Sequence, residues 1–105
     1  MTTAEVLRAA RAKIEQGWCQ GESARGSRGT YIDPAASEAQ EWCPLGALDY
    51  VCYRNAYSYY DGARTALAKA MRSASVSDWN DMLGRTKEEV LAAFDRAIAA
   101  AEAGA

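Results

Sequence analysis

The sequence contains no histidine. That removes the Ser-His-Asp and Cys-His relays and the commonest general base near neutral pH, which disfavours an enzyme. Any catalysis would fall to carboxylates, a tuned lysine, a tyrosine or a cysteine. Zinc coordination would need all three cysteines, Cys19, Cys43 and Cys52, plus a carboxylate from scattered positions. They include no C-x-x-C pair, and their odd number together with the absence of a secretory signal argues against a disulfide framework and for reduced thiols. No metal or cofactor is expected. With only 2 prolines and 8 glycines in 105 residues, a collagenous or disordered chain does not fit. No apolar run approaches the roughly 20 residues that span a bilayer. Met1-Thr2-Thr3-Ala4-Glu5 lacks the basic start and apolar stretch of a signal peptide. A cytoplasmic protein without membrane contact is the expectation.

A basic surplus is missing too, since 12 Lys+Arg face 14 Asp+Glu for a formal net charge of -2. Phosphate neutralisation supplies most non-specific affinity for nucleic acid, so this balance argues against such a partner. Weak contact through Arg25 and Arg28 is the form that survives.

What is present is helical pattern. The size suits one domain, residues 1–105. Thr2-Thr3-Ala4-Glu5 reads as a capping box, followed by Val6, Leu7, Ala10, Ile14 and Trp18 on one stripe. The spacing predicts a helix over 3–16, ended by a left-handed Gly17. Residues 19–33 carry three glycines and two serines and predict a loop, with a short hairpin turning at Gly26-Ser27-Arg28-Gly29 as one option. Asp33-Pro34 signals a short helix over 34–41. Pro44 then opens another, reaching about Tyr59, with Leu45, Leu48, Cys52 and Ala56 on its buried face. Asp61-Gly62 predicts a turn, with Asp61 capping a helix over 62–73. That helix would bury Ala63, Ala66, Leu67, Ala70, Met71 and Ala74. Residues 76–85 read as a compact connector. Thr86 and Glu89 form a second capping box for a helix over 87–102, with a frayed tail over 103–105. The fold class is all-α, a small bundle of about four main helices with a long irregular segment between the first two.

Three clusters carry candidate chemistry. Cys43, at a helix start, would have its thiolate favoured by the helix dipole, but the nearby carboxylates Glu41 and Asp49 oppose this. The plainer reading makes it a small core residue beside Gly46, which permits close packing. Asn80, Asp81 and Arg85, around Trp79, could share a ligand with Cys43, or simply brace the connector. Tyr53, Arg54 and Tyr57, in a tyrosine-dense stretch, have the composition of a protein interface, which Arg25 and Arg28 from the loop would extend.

The motifs Trp42-Cys43-x-x-Gly46-Ala47-Leu48 and Trp79-Asn80-Asp81-x-x-Gly84-Arg85-Thr86-x-Glu88-Glu89-Val90-Leu91, with Asp95-Arg96-Ala97-Ile98 and Trp18-x-Gln20-Gly21, resemble a domain-of-unknown-function family. Its members are small proteins of bacteria and their phages. Pro44 departs from the helix-compatible residue expected there. The resemblance implies a bacterial or phage source and a shared fold, with no activity attached. The resulting expectation is a non-catalytic interaction or regulatory module acting on an unknown protein or on a second copy of itself. A small-ligand or enzymatic site at Cys43, Asn80, Asp81 and Arg85 is the alternative.

Overall fold

The computed structural model describes residues 1–55 and 57–104, with the side chains of Arg54 and Asn55 outside the described set. Helix α1 spans Thr3–Gln16, as its pattern predicts. Thr2 Oγ1 accepts from the Glu5 N–H at 3.1 Å, and Glu5 Oε1 accepts from the Thr2 N–H at 2.8 Å. Val6, Leu7, Ala10 and Ile14 are fully buried along one face. Gly17 is not left-handed: its φ of -175° is ordinary extended backbone. The need for glycine is spatial, because a Cβ there would lie 2.1 Å from the Gln40 carbonyl oxygen.

Strand β1 (Ala24–Arg25) pairs antiparallel with β2 (Glu41–Trp42), setting Ala24 opposite Trp42. Between them the chain reverses at Gly26–Gly29, where Gly29 N–H donates to Gly26 O at 3.0 Å and Gly26 N–H to Thr30 O at 3.1 Å. The hairpin option is therefore the one adopted. The short helix expected over 34–41 does not form. Asp33 Oδ1 does accept from the Ala35 N–H at 2.8 Å, as a cap would, but two successive turns follow, not a helix. A single helical turn is costly to nucleate. Here it is outcompeted by Gln40 N–H donating to Arg25 O at 2.9 Å, by the β2 ladder, and by the Trp42 indole N–H donating to Pro34 O at 3.0 Å.

Helix α2 runs Pro44–Asn55 with Pro44 buried at its first position, where the missing N–H costs nothing. It stops short of Tyr59. A 3-10 turn over Tyr57–Tyr59 leads into α3 (Tyr60–Met71). Ala56, expected on the buried face of α2, lies outside the described residues. Asp61 is neither turn nor cap. It sits in the first turn of α3, where its charge suits the helix dipole, and Tyr59 occupies the cap position without a side-chain bond. Arg72 ends α3 in a left-handed conformation (φ 55°), so Ala74, expected in the buried stripe, falls beyond the helix and is exposed. Part of the connector is itself helical: α4 (Val76–Asn80) is capped by Ser75 Oγ accepting from the Asp78 N–H at 3.1 Å. Helix α5 (Lys87–Ala103) has the capping box at Thr86 and Glu89 and continues to Ala103, where fraying was expected.

Among the described residues there are thus five α-helices, four of them long, and one two-stranded ribbon: an all-α bundle. Helix α1 packs between α2 and α5, and α3 lies against α5. Helices α1 and α5 are antiparallel, as three crosslinks require: Arg8 to Glu102, Arg11 to Asp95 at 2.7 and 3.2 Å, and Lys87 to Glu15 O at 2.8 Å. The buried Leu7, Ile14, Leu48, Leu67, Val90 and Phe94 join in one core. Each large side chain there contributes about 1.5–3 kcal/mol by leaving water.

Candidate functional site

The tryptophan motifs converge on residues 17–23. From one side, Trp42 N–H donates to Gly17 O at 3.0 Å, Cys19 N–H to Trp42 O at 3.2 Å and Cys43 N–H to Ser23 O at 3.0 Å. Gly46 allows this approach, since a Cβ there would lie 1.8 Å from Ser23 O. From the other side comes Asn80, fully buried at the end of α4. Its Oδ1 accepts from the Trp18 indole N–H at 2.7 Å, and its Nδ2 donates to Cys19 O at 3.1 Å and Asp81 Oδ1 at 3.2 Å. Asp81 Oδ1 also accepts from the Gly21 N–H at 2.9 Å, and Gln20 Nε2 donates to Asn80 O and Met82 O at 2.8 and 3.0 Å.

Beside this junction lies a cleft of about 410 Å³ whose lining includes Cys43, Asp49, Tyr60, Ser77, Asn80 and Asp81. Three of the four residues expected to share a ligand thus line one cavity. Arg85 does not. Its guanidinium carbon stacks 3.7 Å from the centre of the Trp79 ring, while Nε donates to Trp79 O at 2.9 Å. Cys43 does stand at the start of α2, and its Sγ accepts from the Gly46 N–H at 3.3 Å. Burial nevertheless outweighs those helix N–H groups and pushes its thiol pKa up, with Asp81 and Asp49 adding to the rise. Cys19 is pushed up to about 12, first by burial and then by Cys43. Cys52 is raised by burial and Asp49. These are packed thiols, not activated ones. Among the described residues, no cluster of three or more Cys, Asp or Glu side chains is placed to hold a metal ion.

A second cleft, about 210 Å³, opens where α2 meets the 33–35 turn. It is lined by Asp33, Pro34, Ala35, Asp49, Cys52, Tyr53 and Tyr57. Tyr53 is 67% exposed and Tyr57 76%. Tyr57 stacks on Tyr60, with ring centroids 6.4 Å apart and planes 16° from parallel. Asp49 lines both clefts; burial, then the like charge of Asp33, holds its pKa above the usual carboxylate value. Tyr60 is pushed up to about 12, first by burial and then by Asp49. The Arg54 side chain, expected to join the tyrosines, lies outside the described residues. Neither Arg25 nor Arg28 lines the tyrosine cleft. Arg25 instead secures its own turn, donating to Gly29 O and Gln20 O, each at 2.8 Å, while Arg28 is exposed on that turn.

The sequence places Asp49 only beside Cys43 and Asp33 only at a helix start; that both line the tyrosine cleft comes from the structure. Asp49, Tyr53 and Tyr57 follow one another at intervals of four, which was a readable signal for a shared helix face. Asp33 was hidden by its reading as a helix cap.

A family model matches residues 1–100, that of a family of unknown function (DUF6197), and the chain belongs to that family. Comparison with curated proteins and with solved structures gave no match.

Proposed function

From membership of a family that carries no assigned activity, we propose that this chain is a non-catalytic interaction module of bacterial or phage origin. Its working surface is the tyrosine cleft at the end of α2. The observation that carries this reading is the exposure of Tyr53 and Tyr57, 67% and 76% accessible, around one small cavity. Tyrosine supplies large contact area with few rotamers to freeze, which favours it at contact surfaces. The rival site is chemically quieter. Asn80 is occupied by internal hydrogen bonds, Arg85 by Trp79, and Cys43 is buried with a raised pKa. Nucleic-acid contact has less support, because Arg25 is engaged by two carbonyls and the chain is acidic overall.

The test is affinity capture from a bacterial host with the wild-type chain and with the Tyr53→Ser/Tyr57→Ser variant. A specific protein retained by the first and lost by the second, at equal thermal stability, is the expected result. A partner held equally by both would overturn the assignment of this surface.

A further inference from the structure

We propose that the tyrosine cleft is a receptor for an alkylammonium group, presented by the partner as a lysine side chain. This rests on the module reading above and names the chemistry of what it would bind. The cleft, at about 210 Å³, suits one side chain and not a folded element. Its floor is apolar: Cys52 is fully buried, Pro34 is buried, and Ala35 adjoins them. Such a floor matches the methylene stem of lysine, whose charged tip needs a polar end.

The walls supply that end. Tyr53 and Tyr57 present aromatic rings, whose negative faces attract cations, and Asp33 and Asp49 bring two carboxylates. Among the described residues, neither carboxylate takes part in an ion pair. Asp33 Oδ1 is engaged by the Ala35 N–H, which orients that carboxylate. Burial first, and then the like charge of Asp33, raises the pKa of Asp49; the second effect is relieved by an incoming cation and aggravated by an anion.

The molecule already uses this chemistry once on the same helix. Lys13 Nζ sits 3.9 Å from the centre of the Tyr50 ring and 5.0 Å from that of Trp42, while those two rings meet edge to face. Tyr50 has its ammonium from α1. Among the described residues, no such donor lines the cleft between Tyr53 and Tyr57.

The experiment is a two-dimensional ¹H–¹⁵N titration of the full chain with n-butylammonium chloride, with n-butanol and sodium chloride as controls. Saturable shifts confined to residues 33–35, 49–53 and 57, seen with the ammonium alone, are expected. Asp49→Asn should weaken binding about tenfold. Asp33→Asn, on the exposed turn, is the second variant and should weaken binding likewise. No saturable shift, or equal shifts from n-butanol, would overturn the assignment. The two readings fail separately. If the tyrosine variant loses its partner but butylammonium never binds, the module stands and the ammonium receptor falls. If butylammonium binds while partner capture ignores the tyrosines, the receptor stands and the module falls.

Discussion

The Trp18 indole N–H and the Asn80 side-chain oxygen meet at 2.7 Å across 62 residues of sequence, and Asn80 has no contact with solvent. One amide therefore closes the molecule, gathering the chain after α1 onto the end of α4. Asn80→Ala would strand the part-buried Trp18 indole N–H and the buried Cys19 carbonyl, both of which need a partner. A loss of about 2–4 kcal/mol in urea unfolding is expected. A loss below about 0.5 kcal/mol, the range of neutral surface changes, would remove Asn80 from this role.

Close backbone approach makes a second prediction. A methyl at Gly46 would overlap Ser23 O at 1.8 Å, so Gly46→Ala must separate α2 from the loop that Asn80 holds. The expected cost is about 1–3 kcal/mol by denaturant unfolding. The control is Gly29→Ala, where a Cβ would meet nothing within 4 Å. Its φ of +72° leaves only backbone strain, and the loss should be smaller.

Thiol chemistry gives a third. Cys19, Cys43 and Cys52 are buried with raised pKa values, so none should react quickly with a thiol-exchange reagent in the native state at neutral pH. All three should react once the chain is denatured. A single fast native thiol assigned to Cys43 would revive the enzymatic alternative.

How much of this could be read from the sequence follows from range. Both capping boxes lie within four residues and were legible, as were the helices they start. The segment after Asp33 was misread because its local cap is real, whereas the β2 pairing that overrides it comes from Ala24 and Arg25. The candidate ligand group was half legible. Cys43, Asn80 and Asp81 do meet in one cleft, but Arg85 is drawn off by the Trp79 ring, a geometry that composition does not encode. Asp49 was visible as the start of an i, i+4 series, and Asp33 enters the same cleft only through the tertiary position of its turn.

The two carboxylates of the tyrosine cleft give a pH prediction. Asp49 has a folded pKa above its ordinary value, from burial first and Asp33 second. Its contribution to stability is therefore fully present below the unfolded pKa and is lost as pH rises through the folded one. Asp49→Asn should melt higher than the wild type at about pH 7, and the gap should close on acidification to about pH 3. An equal gap at both pH values would show that the substitution acts through packing and not charge.

Site-specific photocrosslinking in the host tests the account most directly. A benzophenone amino acid replaces Ser58, exposed beside Tyr57, in one variant and Arg28 in another. A discrete protein adduct is expected from position 58, suppressed by Asp49→Asn, and none from position 28. Adducts from position 28 alone, or a position-58 adduct indifferent to Asp49, would contradict the assignment of the tyrosine cleft.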